Sequence, residues 1–263
     1  MDLGLKGAAV LVTGGSGGIG RATALAFAAE GARVTITYRA REDVAKAVAD
    51  EIADAGGQAH VVPMDLDETE SPEAAVAAAV ERWGELDVLV ANAVNWGIEP
   101  NVDDFARRPD RIEDAPMDQL LPVLRSNLVG NLRLVRAAAP VLRRSEHGRV
   151  VLVSSDIAER GYLGGWAYGA AKAGLHGLSA SLAPDLGRDG VLVNVVMPGI
   201  TLDDGHHHVI PDAALPAIAA RYPANRLATT GDVAAAIAFL CSPRNGATTG
   251  EIVRVTGGSP TAG

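Results

Sequence analysis

Seven short apolar runs, separated by longer alanine-rich stretches, constrain this chain more than any other feature. The runs cover residues 8–12, 33–37, 59–62, 86–91, 149–154, 191–196 and 252–255. Strands that read as near-continuous apolar runs are those buried on both faces of a sheet. Between most of them lie helical patterns at 19–30, 42–55, 72–83, 117–142, 166–186 and 231–241. Strands that alternate with helices imply a parallel sheet, because each parallel return needs a crossover long enough to be helical. No linker, low-complexity tract or repeat divides the 263 residues, a length that one α/β domain fills with a sizeable core. The expected fold is α/β: one doubly wound domain over 1–263, its parallel seven-stranded sheet flanked by helices.

Charge narrows the partners. The net charge of −9 opposes a nucleic-acid or anionic-membrane partner, since both reward basic surface. Cys241 is the one cysteine, so no internal disulfide can form and a reducing compartment is the natural reading. Residues 1–6 lack the basic region and apolar stretch of a signal peptide. No run of about 18 apolar residues is available to span a membrane. The expected location is cytoplasmic.

Residues 13–20 read Thr-Gly-Gly-Ser-Gly-Gly-Ile-Gly, directly after the first strand and where a helix begins. This is the setting a dinucleotide needs. Glycines let the backbone approach the pyrophosphate, and the free N–H groups and dipole of the helix start favour its charge. Gly14, Ser16, Gly17, Gly18, Ile19 and Gly20 are therefore candidate cofactor residues of a Rossmann-type domain.

Tyr168 and Lys172 stand four residues apart, with Ser155 thirteen residues before the tyrosine and Asn127 further back. On a helix, positions i and i+4 share a face, so the phenol and the ammonium point at the same spot. A lysine there favours phenolate and pulls the tyrosine pKa down from about 10 towards neutrality. A phenol so tuned exchanges a proton with an alkoxide near pH 7.

With these residues in hand, nearly the whole chain resembles a classical short-chain dehydrogenase/reductase. The turn matches the family's Thr-Gly-x-x-x-Gly-Ile-Gly. Asp65 and Leu66 match the adenine-contacting pair, and Asn92-Ala93 resembles the family's Asn-Ala-Gly. Pro198-Gly199 follows the sixth strand, and Gly257-Gly258 closes the last. The resemblance implies a catalytic tetrad of Asn127, Ser155, Tyr168 and Lys172. Ser155 would hold the substrate carbonyl while Tyr168 delivers the proton as hydride arrives from the nicotinamide. Lys172 would also bind the ribose, and Asn127 would hold a relay water. Tyr168, Lys172, Asn92, Ala93, Asp65, Leu66, Pro198, Gly199 and Thr201 then join the cofactor set. The helices over 117–142 and 166–186 would pack against a partner subunit in a homotetramer or dimer.

At the end of the second strand, an acid would bind the adenosine ribose, whereas an arginine accommodates a 2′-phosphate. Tyr38 and Arg39 stand there, and a guanidinium suits bidentate phosphate binding. The expected cofactor is NADP(H), and the expected reaction is reduction of a small-molecule ketone.

Some features depart from the pattern. Val94 replaces a glycine after Asn92-Ala93, and Pro184 is expected to kink or weaken the end of the tyrosine helix. An insertion over about 97–116 suggests a flap over the substrate. The resemblance implies a substrate lid over about 199–228. It contains His206, His207 and His208, whose adjacent side chains cannot converge on a metal without distorting the backbone, so no metal is expected. His176 continues the Tyr168–Lys172 stripe as a packing or subunit-contact residue. Trp96, Tyr162 and Trp166 are candidate substrate residues, with Asp156 beside Ser155; Phe105 and Tyr222 lie in segments expected near them. Their flat surfaces favour a bulky, aromatic polyketide-type ketone of secondary metabolism. A 3-oxoacyl-carrier-protein reductase is the alternative. A non-catalytic NADP-sensing regulator and a cofactor-recycling isomerase belong to other classes, disfavoured by the intact tyrosine and lysine and by the glycine spacing.

Overall fold

The computed structural model describes residues 2–96, 111–203 and 210–259. The strands are β1 (Ala9–Val12), β2 (Arg33–Tyr38), β3 (Gln58–Pro63), β4 (Val88–Ala91), β5 (Arg149–Val153), β6 (Leu192–Pro198), β7 (Thr201–Leu202), β8 (Ala228–Thr229) and β9 (Ile252–Val255). Seven of them form one parallel sheet in the order β3-β2-β1-β4-β5-β6-β9. The short β7 and β8 pair separately, a feature that two-residue strands give no apolar run to announce.

Every residue of β1 is buried, and its side chains alternate between two cores. Val10 and Val12 pack with Ala24 and Phe27 of α1 (Gly18–Ala29), Val48 and Ile52 of α2 (Glu42–Asp54), and residues of the last helix. Leu11 faces the other way, towards Ala75 and Ala79 of α3 (Ser71–Trp83). Both faces of the sheet are therefore covered, which is why its strands read as apolar runs rather than alternations.

Residues 117–142 do not form the single helix their pattern suggests. They form α4 (Met117–Leu124), a wide π-helical turn (Arg125–Gly130) and α5 (Asn131–Leu142). Two contacts account for the break. A Cβ on Gly130 would stand 2.5 Å from the Leu66 carbonyl oxygen, so glycine alone lets this turn approach the loop after β3. Asn131 Nδ2 donates to the Asn127 carbonyl at 2.7 Å, satisfying an acceptor that the widened turn displaces.

The chain continues through α6 (Ile157–Arg160), α7 (Trp166–Leu186), α8 (Leu215–Ala219) and α9 (Thr230–Cys241). Pro184 lies inside α7, two residues before its last residue, Leu186, and the helix passes directly into a 3₁₀ turn (Gly187–Asp189). α9 starts with a reciprocal cap between Thr229 and Asp232. β1 pairs with β2 on one side and β4 on the other, so the connections diverge there and leave a crevice at the strands' C-terminal ends.

Candidate active site

The turn after β1 and the loop after β4 are bolted together at that crevice. Thr13 Oγ1 accepts the backbone N–H groups of Asn92 and Ala93, both at 2.9 Å. Asn92 Nδ2 donates back to the carbonyls of Thr13 at 2.9 Å and Gly14 at 3.3 Å. The N–H of Gly14 donates to Thr37 Oγ1 in β2. Gly20 is enclosed by this arrangement: a Cβ there would run into the Gly14 carbonyl and stand 2.6 Å from Asn92 Nδ2.

Gly17 and Gly18 are only loosely approached. A Cβ on Gly17 would meet only the Arg41 guanidinium at 3.7 Å, and one on Gly18 only the Asp203 carboxylate at 3.9 Å. No side chain caps the start of α1. The gap above these N–H groups fits a phosphate, as a dinucleotide's pyrophosphate requires. Arg41 was not apparent from the sequence as a site residue, since it lies two positions past the strand-end Arg39. Both arginines are exposed. Tyr38 is tied to Glu42, and burial and that carboxylate hold its phenol above the ordinary range.

Loop residues after β3 meet the helix turn that carries Asn127. The carboxylate of Asp65 accepts the N–H of Asp67 at 2.9 Å, and Leu66 is buried against Gly130. Asp67 forms a two-pronged pair with Arg125, at 2.5 and 2.8 Å. On the far side, Gly199 donates its N–H to Val255, and Thr201 Oγ1 donates to the Gly199 carbonyl at 3.0 Å.

The tetrad candidates come together where β5 ends. Ser155 hydrogen-bonds Tyr168, and Lys172 Nζ lies 5.7 Å from the Tyr168 ring. Lys172 is fully buried and donates to the Val153 carbonyl at 2.7 Å; desolvation lowers its pKa from 10.5 to about 8. Tyr168 departs from the expected tuning. Burial pushes its phenol up from 10.0, further than the Ser155 bond pulls it down, and the Asp156 charge adds to the rise. Removing the phenolate from water costs more here than a lysine committed to Val153 returns.

Asn127 is buried, and its side chain serves the loop after β4. Its Nδ2 donates to the Asn95 carbonyl at 2.6 Å and to Val123, while its Oδ1 accepts the Asn95 N–H at 3.1 Å. That anchoring presents the next residue, Trp96, whose ring stacks on Tyr168 with centroids 4.4 Å apart and planes inclined 24°. Trp96, one of the substrate candidates, thus touches the tetrad directly. Asp156 is buried, accepts from Arg160 at 2.8 Å and from Ser259 at 3.3 Å, and lies beside Gly199. Tyr162 is 42 % exposed. Trp166 opens the helix two residues before Tyr168, and residues two apart do not share a helix face. Tyr222 is buried against Gly257. Val94 avoids the left-handed backbone a glycine would permit; among described non-glycine residues only Asn225 adopts it. Phe105, His206–His208, most of the insertion and part of the lid lie outside the described residues.

Residues 14–259 match a family model described as enoyl-(acyl carrier protein) reductase. The short-chain reductase protein NovJ of Streptomyces niveus is 36% identical over 256 residues, covering 95% of this chain and 93% of NovJ. The 3-oxoacyl-[acyl-carrier-protein] reductase FabG of Escherichia coli (strain K12) is 33% identical, covering 96% and 97%. A short-chain dehydrogenase from Burkholderia cenocepacia J2315, solved in complex with NADP, superposes with a TM-score of 0.85 at 34% identity, covering 97% and 98%. The chain belongs to the short-chain dehydrogenase/reductase family. It is an oxidoreductase of the CH–OH/C=O type, as these relatives are. A second structure, a 7α-hydroxysteroid dehydrogenase complexed with NADH and 7-oxo glycochenodeoxycholic acid, gives a TM-score of 0.87 at 30% identity, covering 98% and 96%. Among the described residues no helix is long and apolar enough to cross a membrane.

Proposed function

We propose that the protein reduces a ketone with NADPH, with Tyr168 as proton donor. The observation that carries this reading is the meeting of Ser155, Tyr168 and Lys172 beside the end of β5. When bound, the dinucleotide supplies hydride. Gly14, Gly17 and Gly18 would accommodate its pyrophosphate, Asn92 and Ala93 would hold the turn in shape, and Asp65 and Leu66 would meet the adenine. Ser155 Oγ donates a hydrogen bond to the substrate carbonyl, and the phenol of Tyr168 gives it a proton. Oxidation of NADPH, followed by absorbance against a panel of ketones, tests the reaction; no loss of NADPH with any of them counts against it.

The preference for NADPH rests on Arg39 and on Arg41, whose guanidinium reaches the rim of the turn at Gly17. A charge-assisted bond to a phosphate is worth roughly 1.5–3 kcal/mol. Arg39→Ala is therefore expected to raise the KM for NADPH about tenfold or more, and adding Arg41→Ala to raise it further, with little change for NADH. Equal losses for both cofactors would remove the 2′-phosphate from the account.

The substrate proposed is a bulky aromatic, polyketide-type ketone of secondary metabolism, of the kind found in antibiotic pathways. The indole of Trp96 beside Tyr168 supports it, as does the exposed ring of Tyr162, because flat aromatic surfaces suit a polycyclic ligand better than a linear acyl chain. The polycyclic ketone held by the 7α-hydroxysteroid dehydrogenase structure is a precedent within the fold. A ring pair contributes roughly 0.5–1.5 kcal/mol, so Trp96→Ala is expected to raise the KM for a polycyclic ketone about 2- to 12-fold and to leave a short 3-oxoester nearly unchanged. Turnover of acetoacetyl thioesters with none of polycyclic ketones would instead favour a 3-oxoacyl-carrier-protein reductase, the activity in FabG's name.

A homotetramer or dimer is the proposed assembly. Met117, Leu121, Val129 and Leu132 are exposed apolar residues along α4 to α5, a face suited to a second copy. Light scattering at micromolar concentration should give a multiple of the 27.0 kDa chain mass; a monomer would refute it.

A further inference from the structure

Three consecutive residues at the end of β5 are each bonded to one stretch of α7. Val153 accepts from Lys172 Nζ at 2.7 Å, Ser154 Oγ donates to the Lys172 carbonyl at 3.0 Å, and Ser155 bonds Tyr168. The middle contact involves a further residue, for Ser154 Oγ also lies 2.8 Å from His176 Nε2. We infer that His176 is a positioning residue for the tetrad, acting through Ser154 to hold the strand end bearing Ser155 against the helix turn bearing Lys172. This inference rests on the catalytic reading of Ser155, Tyr168 and Lys172 given above.

Proton counting sets the roles. A serine hydroxyl has one hydrogen and two lone pairs. With that hydrogen given to the Lys172 carbonyl, Ser154 Oγ meets His176 as an acceptor, so Nε2 carries the proton. Without a donor at Nε2 the hydroxyl is free to rotate, and its bond to Lys172 loses the partner that fixes it. Burial, the largest influence on the imidazole, lowers its pKa below the usual 6.5 and favours the neutral form. Glu159 of α6 raises it and Arg254 of β9 lowers it, and these two pair with each other at 2.5 Å. A neutral imidazole has a single N–H, and this contact uses it.

The consequence lies in geometry rather than in binding. Ser155 is the next residue along the chain, and sub-ångström misplacement of a reacting group costs rate steeply. His176 acts on Lys172 through its backbone carbonyl, while the Lys172 ammonium stays anchored on the Val153 carbonyl, so a rate effect with little cofactor effect is the signature.

The test uses the full chain with NADPH and any ketone the native protein reduces. His176→Phe keeps bulk but removes the donor, and His176→Gln places an amide nitrogen where Nε2 stood. His176→Phe is expected to lower kcat about fivefold or more with KM for NADPH changed less than twofold. His176→Gln should recover kcat to within about twofold of native, and His176→Phe should have little effect when added to Ser154→Ala. Native kcat in His176→Phe, a Gln variant as slow as the Phe variant, or simple multiplication of the two single effects would each overturn the inference. NADPH titration by fluorescence checks that each variant is folded. Should His176→Phe fail that check, His176→Gln is compared with His176→Asn, whose shorter amide cannot reach Ser154; equal kcat values overturn the inference and a faster Gln variant supports it. Native turnover in Tyr168→Phe would sink the catalytic reading separately, because the coupling between His176 and Ser154 is read from its own set of variants.

Discussion

Tyr168→Phe is expected to lower ketone reduction by at least about 10²-fold while NADPH binding persists, because the ring stays and only the proton donor leaves. The phenyl ring still fills the site against Trp96, so the stacked wall and the fold should survive the change. Single-turnover measurement with saturating NADPH separates the two effects: the hydride step slows while the cofactor's dissociation constant stays within about twofold. Near-native turnover would remove Tyr168 from the mechanism. The pH dependence follows from the buried phenol, whose pKa is pushed up from 10.0 by burial first and by the Asp156 charge as well. Reduction needs the protonated phenol, so Tyr168 itself should impose no fall in kcat/KM for the ketone between pH 7 and 9, and a fall centred near 8 would report loss of the Lys172 ammonium. Alcohol oxidation needs the phenolate and should climb over the same interval.

The sheet was legible because seven buried parallel strands leave seven apolar runs, and the observed strands fall within about two residues of them. Helix breaks were not. The π-turn at Asn127 depends on Gly130 meeting Leu66, a contact between residues far apart in sequence, and the local pattern of 117–142 carries no trace of it. The same holds for Arg41, which becomes a neighbour of Gly17 only once β2 has brought α2 beside the glycine turn. Spacing alone correctly paired Tyr168 with Lys172 on one helix face. It could not give the sign of the tyrosine's shift, because that depends on how deeply the phenol is buried. Ser154 illustrates the intermediate case. Strand alternation separates it from Ser155, but its bonds to Lys172 and His176 emerge only from the packing of β5 on α7.

Lys172 carries the second large expectation, for stability as well as rate. Its ammonium is buried with a pKa lowered from 10.5 to about 8 by desolvation, so folding works against the charged form. Between these two values the unfolded chain binds the proton more tightly than the folded one, and stability from this group therefore rises with pH. Below about pH 8 the full penalty is present; above about 10.5 it is gone. At 1.36 kcal/mol per pKa unit the penalty is roughly 3 kcal/mol. Lys172→Met removes the titrating group while keeping an unbranched side chain of similar length. Its activity should collapse and its affinity for the cofactor fall, since the ammonium is proposed to serve both. In urea denaturation without cofactor, the native protein should gain on Lys172→Met by up to about 3 kcal/mol as pH is raised from 7.5 to 10.5. The lost bond to Val153 offsets the comparison by a constant amount and so leaves the slope intact. A difference between the two proteins that stays flat over this interval would mean that the folded-state lysine titrates like an exposed one.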